Sequence, residues 1–469
     1  SGQGYYDWDI EMSDTNPDVV YGGTQGRWVT KDGFQTINQD IGSLGHPDVQ
    51  ETLFNGTDLW VVNDGGIILF ENENFQNYTA KSIGLNSISY WSFDQGWNKD
   101  VSSATHYHNG TSAMSENYED FVGINFGGAE PSFSLVAQPS GDKMVSKGYG
   151  AVNGYTMPDA QDGTYTRFNY NLTPNTHSYS GNNVGVHPAA YETHFLGVEN
   201  ILHKSEDFGV TWNSIYEFPF SSEKIWDIEF TRANLNVIFV TTIYGSGGNL
   251  YRSLDGGQSF TEIALPSQFS NNPSILNVSV SNEDANVFYV MADKSGIKIA
   301  KTTDGGATWI DLDTPTLSPY DGHKIMQVDG TDGGIYLLTR RAVFYRNNTL
   351  ADWVPLVDGM PANTRYQYIR PFYRDKELRI ATSRGVYEAE LYDTPQLSNI
   401  LLQPTAQKTT TDCARDTFYF DDVNWGGAPI ILAQIDVPVT FESTTVDYTM
   451  TDFGGNASAF SVDPTDTSN

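Results

Sequence analysis

The sequence predicts an all-β protein: a β-propeller of about eight four-stranded blades, with seven to nine allowed by the count, followed by an incomplete C-terminal β-sandwich segment. Three observations carry this expectation. Apolar and polar residues alternate over short runs, and no stretch sustains the 3.6-residue apolar period of a helix. One turn, clearest in "SLDGGQSF" at 253–260, returns as "SEDFGVTW" at 205–212 and "TTDGGATW" at 302–309, with aspartates 48 residues (207 to 255) and 49 residues (255 to 304) apart. The strands ahead of the turn return with it. "WDIEMSDTNPDVVYGGTQGRWVTKDG" (8–33), "WDIEFTRANLNVIFVTTIYGSGGNLYRSLDG" (226–256) and "LNVSVSNEDANVFYVMADKSGIKIAKTTDG" (276–305) share one order of strand, polar turn, strand, Gly-containing turn, strand and box. A fourth strand after the box completes a four-stranded sheet, the unit of a propeller blade.

Along the chain, the first box is "TKDGFQTI" at 30–37, with Phe at the second Gly position and Ile at the aromatic one. Fainter copies stand at 71–78, 162–168 and 346–353, which places units near 32, 73, 111, 164, 207, 255, 304 and 349; 377–391 has strands and no box. Ring closure is expected to bring 5–12 beside 379–391. The domain reading is a propeller over 1–392, a linker or edge segment over 393–417, and sandwich strands over 418–469.

Composition narrows the function. Asp and Glu outnumber Lys and Arg by 58 to 26, a net charge of -32, so a nucleic-acid backbone would be repelled and no nucleic-acid partner is expected. No apolar run is long enough to insert in a membrane. Cys413 is the only cysteine, which excludes an intrachain disulfide and CxxC metal chemistry. The chain starts at Ser1, consistent with a removed leader or a fragment, and its acidic, Asn- and Thr-rich composition fits a protein exported from a Gram-negative bacterium.

The boxes resemble the Asp-boxes, or BNR repeats, of sialidase-like, sortilin-like and xyloglucanase-like propellers. The resemblance covers roughly residues 3–392. It implies structural roles for Asp32, for Ser205, Asp207, Gly209 and Trp212, for Ser253, Asp255, Gly257 and Phe260, and for Thr302, Asp304, Gly306 and Trp309. In such a turn the carboxylate accepts backbone N–H bonds, glycine supplies a positive φ and the aromatic ring packs beneath the loop. Leu254, Gly256 and Gln258 add no further carboxylates, which argues against an EF-hand-like calcium loop. The stretches at 3–23 and 45–66 resemble propellers of large flavobacterial proteins exported by the type IX secretion system, which implies secretion-machinery components as partners during export. "FYFDDVNWGG" (418–427) and the run from Val437 resemble strands of carbohydrate-binding-like sandwiches. Too few residues follow Phe441 to complete one, so the chain is expected to continue past Asn469.

Several side chains are candidates for a site. "WDIE" occurs twice, offering Asp9 with Glu11 and Asp227 with Glu229, pairs that share a strand face and could serve a propeller-type glycoside hydrolase. The plainer reading is that these strands repeat because blades repeat. A sialidase-like site needs three arginines, and before residue 230 only Arg27 and Arg167 are present. His46, Asp48, His106, His108, His187 and His194 show no fixed metal-ligand spacing. Tyr90, Trp91 and Trp97 in "SYWSFDQGW" are candidates for stacking on sugar rings. Glu442, Asp447 and Asp452, with Asp463 and Asp466, are candidate calcium ligands in the sandwich; no cofactor is expected in the propeller. These features fit a secreted or cell-surface, non-catalytic protein that displays its propeller to a glycan or surface protein. The alternatives are a polysaccharide-degrading hydrolase and an adhesin or scaffold segment.

Overall fold

The computed structural model describes residues 7–397 except 40–44, 83–87, 107–108, 120–122, 127–132, 138–141, 149–150, 162, 171–183, 220–223, 244–247, 270–275, 294–295 and 357–358; beyond 397 it describes 406–409, 417–420, 446–451 and 457–462. Between Asp9 and Glu390 the described residues form nine consecutive antiparallel sheets, eight of four strands and a last of three. Each is a meander, so the chain steps from an inner strand outward. The inner strands of sheets 1 to 9 are Asp9–Met12, Val49–Asn55, Tyr90–Gln95, Phe133–Val136, Val184–Val186, Lys224–Phe230, Leu276–Val280, Gly322–Val328 and Tyr366–Phe372. Leu276–Val280 is buried along its whole length, because a blade interior is covered on both faces.

The apolar clusters reveal which sheets are neighbours. Phe126 and Tyr155 join sheets 3 and 4, Val145 and Leu196 join 4 and 5, Phe195 and Ile228 join 5 and 6, and Phe239 and Phe288 join 6 and 7. Ile299 with Leu337 and Tyr345 with Ile369 continue through sheets 8 and 9. The series then returns to its start: Ala381 of sheet 9 packs with Phe93 and Ala104 of sheet 3. Sheets 3 to 9 therefore close a ring of seven blades. Polar contacts seal the joint. Gln95 Nε2 donates to the Pro371 carbonyl at 2.9 Å, and Arg379 donates to both oxygens of Asp100 at 2.7 and 2.8 Å.

Sheets 1 and 2 stand apart from this series, sharing a cluster of their own around Tyr21, Phe54 and Phe70. A hydrogen bond from Asn109 Nδ2 to the Asp64 carbonyl links sheet 3 to sheet 2. The expected closure between 5–12 and 379–391 is thus replaced. The inner strand Asp9–Met12 packs on Val49–Asn55, and the closing partner of sheet 9 is sheet 3. The physical reason lies in the surfaces: Arg379 finds its carboxylate on Asp100, while Trp8, Ile10 and Met12 remain 62%, 46% and 54% exposed.

After sheet 9 the chain runs back along sheet 8. Tyr392 stacks on Tyr345 with ring centroids 4.5 Å apart, and Asp393 accepts from the Tyr345 hydroxyl and Asn347. Ala406–Thr409 then pairs with Thr417–Phe420, so a strand predicted for the sandwich pairs with one from the predicted linker. The chain divides into a compact unit of residues 1–423 and a second of 424–469. In the second, Val446–Thr451 pairs with Ala457–Val462. Of the candidate calcium ligands, Glu442, Asp452, Asp463 and Asp466 lie outside the described residues, as does the side chain of Asp447.

Candidate functional site

The recurring turn sits between the third and fourth strands of sheets 1, 5, 6 and 7, at the outer side of each blade. Asp255 shows its chemistry. Oδ1 accepts from the Ser259 amide at 2.9 Å and the Ser253 hydroxyl at 2.8 Å, while Oδ2 accepts from the Ser259 hydroxyl at 2.6 Å. Ser253 Oγ in turn accepts from the amides of Asp255 and Gly257. Asp207 and Asp304 repeat these bonds with Ser205, Thr211 and with Thr302, Thr308, and Asp32 does so with Thr30 and Thr36. Such bonds favour the ionised form: with the Ser259 and Thr308 hydroxyls and amides as the main cause, the Asp255 and Asp304 carboxyls are lowered to about 2.

Two successive residues in each turn need positive φ. Gly256 and Gly257 supply it at 72° and 91°; the first box instead forces Phe34 to 68°, which costs strain that glycine avoids. The aromatic residue reaches into the preceding blade. Phe260 packs on Tyr216 and Phe218 of sheet 5, and Trp309 Nε1 donates to the Ala264 carbonyl of sheet 6. Trp353, in the faint copy of sheet 8, donates likewise to the Leu312 carbonyl of sheet 7. Trp212 instead bonds the carbonyl of Gly209 in its own turn and packs against Tyr170.

A different set of residues meets on the ring axis. A cavity of about 190 Å³ is lined by residues from sheets 3 to 9, including Asp94, Asp227, Glu229, Gln327 and Arg370. No residue of sheet 1 or 2 lines it. At the ends of the inner strands its wall is made by Trp97, His187, Arg232, Asn282 and Tyr373.

The cavity's charges are interlocked. Asp94 Oδ1 faces Arg370 Nε at 3.4 Å, and Oδ2 accepts from the Val136 amide of the next blade at 3.0 Å. Burial pushes the Asp94 carboxyl up, opposed by Arg370 and that amide. Glu229 Oε1 lies 4.0 Å from Lys324 Nζ. Its side chain lines the cavity and keeps 27% of its surface exposed. Burial first, and the neighbouring Asp227 second, push Glu229 up to about 7, against the pull of Lys324 and Arg370. Gln95 and Gln327 are oriented by their Nε2 groups, which donate to the Pro371 carbonyl and to Asp329.

The structure separates the two "WDIE" pairs. Asp227 and Glu229 line the cavity, whereas Asp9 Oδ2 accepts from the amide and hydroxyl of Thr52, holding sheet 1 to sheet 2. Of the aromatic candidates, Trp97 lines the cavity; Tyr90 packs edge-on to His106 at 5.1 Å, and neither it nor Trp91 is among the lining residues. His106 is buried with Ser112 as partner, His194 lies between the Tyr170 hydroxyl and the Tyr191 carbonyl, and His108 lies outside the described residues. Among the described residues no group of three or more His, Cys, Asp or Glu is placed to hold a metal ion. Sequence reasoning missed Asp94, Arg370, Lys324 and Arg232. A usable signal was present: all but Arg232 fall on inner strands, and aligning the inner strands would have stacked them on one axis.

Fold and site together define a β-propeller with a charged, blade-lined axial cavity. No family model matches the chain, and no curated protein does. Among solved structures, it is similar to YCF48 from Cyanidioschyzon merolae at 10% identity and a TM-score of 0.34, covering 82% of this chain and 99% of that one. It is similar to the GH74 enzyme of Niastella koreensis at 13% identity and a TM-score of 0.28, covering 81% and 71%. A luciferin-regenerating enzyme is similar at 12% identity and a TM-score of 0.39, covering 55% and 91%. Each of these is a β-propeller.

Proposed function

We propose that the chain is a non-catalytic recognition protein whose axial cavity receives part of a glycan or a surface protein. One observation carries this reading: the cavity collects polar side chains from blades around the whole ring, while its acids Asp94 and Glu229 are engaged by cations or an amide from other blades. Such a site is rigid and prepaired, which suits selective binding. The resemblance of the boxes to Asp-box propellers, and of 3–23 and 45–66 to type IX secretion cargo, supports placement outside the cell. Presenting the full chain to a glycan array and a surface-protein panel tests the reading. Hits that survive Trp97→Ala unchanged would place recognition elsewhere.

A glycoside hydrolase is the second reading, and Glu229 favours it. A carboxyl held near 7 beside a second carboxylate is the arrangement of a general acid with its partner. Reducing-sugar release from polysaccharides that disappears in Glu229→Gln would establish this reading over the first. The adhesin or scaffold reading draws on sheet 1, whose face of Trp8, Ile10 and Met12 is exposed.

A further inference from the structure

We propose that the end of the axial cavity framed by Arg232 and Trp97 binds the carboxylate of a small ligand, an inference that rests on reading the cavity as a recognition site. The cavity has two lining arginines with different surroundings. Arg370 faces Asp94. Among the described residues Arg232 forms no ion pair, its side chain makes no hydrogen bond, and its Nη2 is buried without a partner. Its Cζ lies 3.8 Å from the Trp97 ring centre. A cation–π contact favours the charge from one side and supplies no acceptor to the N–H groups.

An unpaired guanidinium is costly where water is scarce. Burial, with no carboxylate to offset it, pulls Arg232 down to about 9, so it stays charged at neutral pH. The neighbouring groups do not compete for it. Burial, and next the nearby Lys204 and Arg232, disfavour the charged form of His187 against its bond to the Leu235 carbonyl; the Tyr373 hydroxyl is committed to Asp329. Asp227 and Glu229 line the same cavity from the inner strand that ends at Phe230, where Lys324 faces Glu229. The missing partner is an anion with two coplanar acceptors, and a carboxylate matches the guanidinium in bidentate fashion. Volume limits the rest of the ligand. A cavity of about 150 Å³ holds a benzene ring, so about 190 Å³ admits one sugar ring or one amino-acid residue.

A carboxylate of this size could belong to a uronic acid or to a peptide C-terminus, and matched probes separate them. Calorimetry on the full chain with D-glucuronate against D-glucose, and with N-acetylglycine against N-acetylglycinamide, should show one carboxylate probe binding at least tenfold more tightly than its neutral twin. Arg232→Gln should lose that preference while its melting temperature holds or rises, because an unpaired buried charge is removed. Arg232→Lys should recover part of the preference, without the bidentate fit. Equal binding of the twins, or an unchanged preference in Arg232→Gln, overturns the inference. A neutral ligand that depends on Trp97 and not on Arg232 would overturn it and leave the recognition reading standing. No binding of any probe, with array hits still lost in Trp97→Ala, would do the same.

Discussion

Replacing Arg379 with Met is expected to loosen the ring at its joint. The Arg379 side chain is 4% exposed, hydrogen-bonded to Asp100 across the closure and ion-paired with Glu388 of its own sheet at 2.9 Å, with Glu377 at 3.7 Å. Met keeps most of the apolar contact with Phe372, over which the guanidinium lies at 4.2 Å, so the change isolates the charge. Removing one partner from a buried ion pair costs about 3–5 kcal/mol. Here the three carboxylates left behind are 32%, 35% and 53% exposed, so water relieves part of their repulsion. The loss should therefore sit at the low end, about 3 kcal/mol. For a domain of this size each kcal/mol moves the melting temperature by roughly 2 °C, giving a fall of about 6 °C. Circular dichroism melts with limited proteolysis provide the assay, and Arg384→Met, an exposed arginine on the same sheet, is the control. A melt within a degree of the parent, or an equal fall in the control, would refute closure of the ring by sheets 3 and 9.

Three further outcomes are expected. Ser253→Ala strips the buried Gly257 amide of its acceptor and should cost roughly 1–3 kcal/mol, read as a lower denaturation midpoint with unchanged slope; no change would mean that the turn is held by other bonds. Asp255 and Asp304 have folded-state carboxyls below the ordinary value, so their stabilisation is complete above about pH 4 and lost as pH falls through about 2. Acid titration of Asp255→Asn should show a shallower loss across that window than the parent, and a steeper one counts against the assignment. Glu229 is shifted the other way: between its ordinary value of 4.5 and about 7 the folded state holds more protons than the unfolded, so its contribution falls as pH rises. Glu229→Gln should remove that dependence, so that its melting temperature exceeds the parent's by more at pH 8 than at pH 5; an identical pH profile in the variant would show that Glu229 is not held near 7.

What the sequence by itself determined is local. The box works through bonds spanning four residues, from Ser253 to Gly257 and from Asp255 to Ser259, and the strands around it alternate whether or not a neighbouring blade is present. Repeat units were legible for the same reason: each blade is a meander whose strands pair with the next strand in sequence. Only the tertiary structure decided how the blades join. The joint depends on Gln95 reaching Pro371 and Arg379 reaching Asp100, contacts 276 and 279 residues apart that leave no periodic trace. The two "WDIE" stretches make the limit concrete. In sheet 1 the Asp staples two blades at an open edge, with Ile10 46% exposed; in sheet 6 the same four residues place Asp227 and Glu229 on the axis, with Ile228 5% exposed. Identical residues take different roles because burial, pairing and the protonation of a carboxylate are set by the blades packed around it, and those arrive from distant parts of the chain.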